Sequence, residues 1–180
     1  NGVTGNQLLD DWWQSVEDVL NAYKDADPKK RVKWGGPEMS ARSKITARHM
    51  ETWAHGQEVF DALGKDREEK DRIKNIVHMG VIAYGWTFVN RKLAIPEPTP
   101  YIILNSPSGE VWEWNDKESS SKIEGTAVEF AQVVTQVRNF ADTKLSITGK
   151  PAIEWMKYAQ CFAGPPEDPP AKGTRYKVTS

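Results

Sequence analysis

Apolar residues recur at three- and four-residue spacing through Leu8, Leu9, Trp12, Val16, Val19, Leu20 and Tyr23, the period of an amphipathic helix that turns one face from water. Thr4 stands at the N-cap and Asp27-Pro28 stops the pattern. A loop from Pro28 to Met39 follows, with a turn expected at Trp34-Gly35-Gly36-Pro37. Ser40 then caps a second predicted helix that runs to Leu63 and closes on Gly64. Asp66 and Glu69 make a capping-box-like start for a third, reaching about Val89, with Ile73, Ile76, Val77, Gly80, Val81 and Tyr84 on one face.

The rhythm changes after Ile95-Pro96-Glu97-Pro98-Thr99-Pro100, which neither a helix nor a central strand tolerates. Tyr101 to Asn105 is β-prone, Ser106-Pro107-Ser108-Gly109 is a turn, and Glu110 to Trp114 alternates polar and apolar, so the stretch reads as a hairpin. A short strand is expected near 122–124, a helix over 126–138, a strand over 144–148, and a helix over 151–162 with Pro151 in its first turn. Beyond Gly164 the apolar pattern ceases. The expected organisation is therefore α+β: a helical bundle over 1–95, a small α+β domain over 96–164 and a mobile tail over 165–180.

Composition narrows the function classes. Lys and Arg number 24 against 25 Asp and Glu, interleaved along the chain, so there is no clustered positive footprint for nucleic acid or an anionic membrane. The longest mainly apolar stretch, Ile73 to Leu93, is interrupted by charged and polar residues and is no bilayer span. A single cysteine, Cys161, and no secretory signal point to a soluble protein in a reducing cytoplasm. Cys161 sits among Ala159, Phe162 and Ala163 and reads as a buried, inert thiol. The eight tryptophans are expected mainly in the core.

The candidate chemistry lies on the second helix. Glu51 and His55 are one turn apart on the same face, where both heads can reach one metal ion. Ala47, Ala54 and Ala62 share that face and leave room, which suits a site buried between helices. Glu58 is one turn further on, and His78 of the third helix is another candidate, whereas His49 points away. The same spacing also describes an ordinary i, i+4 pair, and two donors are fewer than the three or four that zinc takes.

The run from Met39 to Gly64, with Arg48-His49-Met50-Glu51-Thr52-Trp53-Ala54-His55-Gly56-Gln57 at its centre, resembles actinobacterial-type metal-binding proteins related to mycothiol-dependent maleylpyruvate isomerase, in the DinB-like superfamily. His78-Met79-Gly80-Val81, the hairpin Asn105 to Trp112, Glu124-Gly125-Thr126-Ala127 and Ala159 to Pro166 extend the resemblance along most of the chain. It implies a DinB-like helical bundle carrying a divalent metal, expected to be zinc, followed by a small α+β domain of sterol-carrier-protein type. It gives Glu51 and His55 the roles of metal ligands. The family's further histidine, on an earlier helix, would precede Asn1, so the bundle is expected to be partial, lacking its N-terminal helices. The isomerase relatives also place a catalytic arginine near the end of the helix that opens at Gly125-Thr126-Ala127. Arg138 is the guanidinium available there, one residue beyond Val137, which occupies the relatives' position.

The function so implied is a metal- and thiol-dependent isomerase or transferase acting on a small electrophile, with a low-molecular-weight thiol such as mycothiol as a co-reactant. A metal would stabilise the thiolate or polarise a carbonyl, and a nearby arginine would hold a substrate carboxylate. The competing readings are a module that carries an apolar ligand in a pocket walled by Trp53, Trp86 and Trp112, and a family member retaining only the scaffold. Apolar faces left uncovered at Trp12 and Val16 and at Ile76 and Tyr84 would favour association of copies into a homo-oligomer.

Overall fold

The computed structural model describes residues 2, 4–33 and 38–178. The chain divides into two compact units, Asn1–Thr46 and Ala47–Ser180. The first holds α1 (Gly5–Lys24), a two-stranded antiparallel ribbon of β1 (Arg31–Val32) and β2 (Met39–Ser40), and the opening of α2 (Ala41–Ala62). The expected loop thus contains a small ribbon, with Arg31 opposite Ser40. The turn expected at 34–37 lies outside the described residues. Thr4 is the N-cap of α1, but its side chain makes no capping bond. Ser40 does cap: its Oγ accepts from the Ser43 N–H at 3.1 Å. The apolar side chains Leu8, Leu9, Trp12, Trp13 and Leu20 of α1 are exposed.

In the second unit α2 continues, followed by a 3-10 turn at Asp71–Ile73, α3 (Lys74–Ile82) and α4 (Tyr84–Asn90). The single third helix expected over 66–89 is therefore two helices broken at Ala83, and residues 65–70 are not helical. Side-chain bonds hold the 65–70 segment across α2: Arg67 donates to the Trp53 carbonyl at 2.7 Å, and the Trp53 indole donates to Glu69 at 2.9 Å. Those bonds outcompete the local capping signal of Asp66 and Glu69.

A four-stranded sheet follows, in the order β4 (Val111–Trp114), β3 (Tyr101–Asn105), β5 (Lys122–Thr126), β6 (Ser146–Thr148). The hairpin pairs β3 with β4 in antiparallel fashion, β5 lies parallel to β3, and β6 is antiparallel to β5. Helix α5 (Ala127–Val134) is capped by Thr126, whose side chain accepts from the Glu129 N–H. It ends four residues before Arg138, because Gln136 takes φ 59°, a left-handed conformation no helix accommodates. Helix α6 (Lys150–Met156) stops short of the expected Phe162. The Cys161 N–H instead bonds the Val134 carbonyl at 2.9 Å, which draws residues 157–162 onto the end of α5.

One core runs through this unit, combining Trp53, Ile76 and Phe88 from the helices with Ile102, Ile123 and Phe130 from the sheet and α5. The proline-rich connector at 96–100 therefore runs within one unit, and the break between units falls at Thr46. Helix α3 approaches α5 closely at Gly80, where a Cβ would stand 2.7 Å from Val134 Cγ2. Ile76 and Tyr84 are both buried, Tyr84 against Trp155 of α6, so the exposed association face expected there does not exist. None of the described helices is long and apolar enough to cross a membrane.

Residues 165–178, expected as a mobile tail, run as a strap tied to the rest of the unit. Gln136 donates to the Glu167 carbonyl and Asn139 to the Pro170 carbonyl, each at 2.8 Å, and the Val178 N–H donates to the Asp61 carbonyl at 2.9 Å. Gly64, which closes α2 with φ 64°, lies under the strap's end: a Cβ there would be 2.6 Å from the Val178 carbonyl oxygen. Gly64→Ala is thus expected to cost about 1–2 kcal/mol in backbone strain and to displace the strap's end. Faster amide exchange at Val178 would record the displacement; exchange as slow as in the parent would contradict it.

Candidate functional site

Helix α2 presents Glu51, His55 and Glu58 on one side because they lie four and three residues apart. His55 Nε2 is 3.5 Å from Glu51 Oε2, and His55 Nδ1 is 3.2 Å from Glu58 Oε2. The site is open, with His55 and Glu51 side chains 74% and 52% exposed. The burial between helices expected from Ala47, Ala54 and Ala62 is not found: Glu51, His55 and Glu58 border a cavity of ≈ 430 Å³ instead. Its apolar lining includes Met50, Ala54, Val137 and Phe162, and the strap contributes Glu167, Asp168 and Arg175.

The protonation pattern follows from the partners. Glu58 also pairs with Arg175. Partial burial pushes its carboxyl up, but the hydrogen bonds and charges of His55 and Arg175 outweigh that and hold it below the usual carboxylate range. An ionised carboxylate only accepts, so Nδ1 carries the proton donated to Glu58. In neutral imidazole the Nε2 lone pair then faces the Glu51 oxygen, two acceptors with no hydrogen between them. A cation or a second proton satisfies both.

That donor set fits a divalent metal as a pair. Two donors at the Zn–N and Zn–O distances of a tetrahedral site stand about 3.3 Å apart, close to the 3.5 Å observed. Glu58 on Nδ1 is the carboxylate that commonly orients a ligating imidazole. Among the described residues no cluster of three or more His, Cys, Asp and Glu is arranged to hold a metal ion, so these residues offer a chelating pair rather than a closed site.

The other candidates lie elsewhere. The His78 Nδ1 accepts from the Trp114 indole at 3.3 Å and does not line the cavity. His49 is half-buried, and burial together with Arg72 and Arg67 lowers its pKa. Arg138 is buried, its Nη2 bonded to Asp61 Oδ2 at 2.7 Å, and is not among the residues that line the cavity. Asp61 also accepts from Gln57 at 3.0 Å. Held this way, Arg138 neutralises a buried carboxylate. Burial raises the Cys161 thiol to about 12, with a further contribution from the Glu51 charge, which leaves it protonated. Trp53 and Trp112 are core residues and Trp86 is exposed, so the three do not wall one pocket.

The sequence reading missed Asp61 as the partner of Arg138 and missed the strap's Glu167, Asp168 and Arg175. No local periodicity marks the strap. The paired basic positions Arg175 and Lys177, which meet Glu58 and Asp66 on α2 and just beyond it, were the available signal.

Comparison with known proteins bears on the same stretch. Residues 2–60, which include Glu51, His55 and Glu58, match the family model described as the mycothiol maleylpyruvate isomerase N-terminal domain. Two uncharacterised proteins of Mycobacterium tuberculosis, from strains CDC 1551 / Oshkosh and ATCC 25618 / H37Rv, are each 37% identical to this chain over 167 residues. The alignment covers 91% of this chain and 64% of each relative, so the chain spans less than two thirds of the length of these curated relatives. No solved structure matches the chain significantly. The mixed helix and sheet architecture is consistent with a helical domain of this type joined to a small sheet domain, and the likeness to the family model is confined to residues 2–60.

Proposed function

We propose that the chain belongs to a metal- and thiol-dependent isomerase or transferase that acts on a small electrophile, with a thiol of the mycothiol class as co-reactant. The observation that carries this reading is the Glu51–His55 pair, which lies in the stretch that matches the family model, is matched in spacing to one cation and opens on a cavity. Glu51 and His55 would hold the metal. When bound, a divalent ion such as zinc supplies Lewis-acid chemistry, stabilising a thiolate or polarising a carbonyl. Glu58 fixes the imidazole tautomer by accepting from Nδ1, leaving Nε2 free to donate its lone pair. Met50, Ala54, Val137 and Phe162 form an apolar wall that excludes water from the carbon skeleton of a bound substrate. The small sheet domain would be of sterol-carrier type.

A second reading, a scaffold without turnover, draws support from the two-donor character of the site among the described residues. Elemental analysis of the purified chain separates them. Near-stoichiometric zinc or another divalent metal, reduced at least tenfold in affinity by both Glu51→Gln and His55→Ala, together with thiol-dependent turnover that those variants lose, is the expected result. A folded parent chain that binds no divalent metal would refute the metal-dependent reading and leave the scaffold.

A further inference from the structure

We propose that the strap over 165–178 is a built-in competitor of the cation site, with Arg175 holding on Glu58 the positive charge that a divalent ion would otherwise balance. The inference rests on the metal reading of Glu51 and His55 and concerns the regulation of that site. The strap is anchored at both ends, through Glu167 and Pro170 at one and Val178 at the other. Between the anchors Arg175 reaches α2 and pairs with Glu58 Oε1, while Glu58 Oε2 accepts from His55 Nδ1. One carboxylate is therefore shared between the imidazole and a guanidinium. Among the described residues lining the cavity, Arg175 is the one permanent cation beside the acidic Glu51, Glu58, Glu167 and Asp168, of which Asp168 is paired with Arg91.

Two effects of Arg175 have the same sign. Its charge on Glu58 weakens that carboxylate as an acceptor for Nδ1–H, and a less polarised imidazole is a poorer donor at Nε2. Its charge also opposes directly the entry of a divalent ion into the same cavity. The arrangement is displaceable: the Arg175 side chain is half-exposed, an ion pair so placed is weak, and residues 165–178 contain no helix or strand to hold the guanidinium rigidly. The strap lies outside the stretch matched by the family model, residues 2–60, so this control is added to the matched helix from elsewhere in the chain. Cation binding and strap release would be reciprocal, each favouring the other.

Titration calorimetry with Co²⁺ alone tests this on the full chain, with fold checked by circular dichroism. R175Q is expected to bind about tenfold more tightly than the parent, the scale on which changes around a metal ligand's partner act. R175K, which keeps the charge, is expected to stay near the parent. K177Q breaks another of the strap's ion pairs, to Asp66, without touching the cavity, and is expected to change nothing. Parent and R175Q binding with equal affinity, or R175Q more weakly, would overturn the strap proposal alone. A gain in K177Q equal to that in R175Q would overturn it too, by assigning the effect to a loosened strap. Folded parent and R175Q that both fail to bind would overturn the metal reading and this inference with it.

Discussion

Asp61→Ala is expected to destabilise the second unit by about 3–5 kcal/mol, the cost of leaving one partner of a buried ion pair without the other. Asp61 and Arg138 are 8% and 9% exposed, and their side chains meet at 2.7 Å. The substitution strands the Arg138 guanidinium, whose Nη1 already lacks a partner among the described residues, and removes the acceptor of Gln57. The loss should be far smaller in the double variant Asp61→Leu with Arg138→Met, where neither charge remains to be desolvated. Urea unfolding of the three proteins checks this. A double variant as unstable as Asp61→Ala would mean that the pair itself, rather than the stranded charge, carries the stability. The same series bears on catalysis: a family-type role for Arg138 would require its guanidinium to reach a substrate, and here it is paired with Asp61 and is not among the residues that line the cavity.

Short-range signals were legible wherever the local rule and the tertiary structure agree. The hairpin Tyr101–Trp114 was readable because alternation and a Ser-Pro-Ser-Gly turn specify the same register. The second helix was readable because Ser40 and Gly64 mark both its ends. The helix spacing also delivered Glu51 and His55 to one side of α2, and the apolar neighbours of Cys161 signalled its burial. Misreadings arose where a distant partner overrides the local preference. Asp66 and Glu69 look like a helix start, yet Arg67 and Glu69 are spent on Trp53. Ile76 and Tyr84 look like an orphan bundle face, yet both are buried in the core, Tyr84 against the distant Trp155. The strap was invisible for the same reason. Its stabilising groups are backbone carbonyls bonded by Gln136 and Asn139, whose side-chain choices carry no sequence period. That wall of the cavity includes Arg175, so the electrostatics of the site could not be read from α2 alone.

Trp155→Ala is expected to cost about 3–5 kcal/mol, the range for removing a large aromatic from a core, and the contrast with Trp155→Phe is more informative than either value. Trp155 is 1% exposed and stands edge-on to Tyr84 at 5.1 Å and to Phe130 at 5.7 Å between ring centroids. These contacts join α4, α5 and α6 into one aromatic cluster, which Tyr84 extends to Phe88. Alanine deletes all of it and leaves a cavity that the fixed helices cannot close. Phenylalanine keeps an edge-to-face ring and also removes the indole Nε1, a buried donor with no partner among the described residues. Leaving such a group unsatisfied costs about 1–3 kcal/mol, so its removal offsets much of the volume lost, and Trp155→Phe is expected within about 1.5 kcal/mol of the parent. Chemical denaturation followed by circular dichroism measures both. A phenylalanine variant as unstable as the alanine one would show that the indole makes a bond worth keeping, such as one to a bound water. Because α6 leads into the segment that carries Phe162 to the cavity wall, the alanine variant should also disturb the apolar side of the candidate site, whereas the phenylalanine variant should leave its Co²⁺ affinity unchanged.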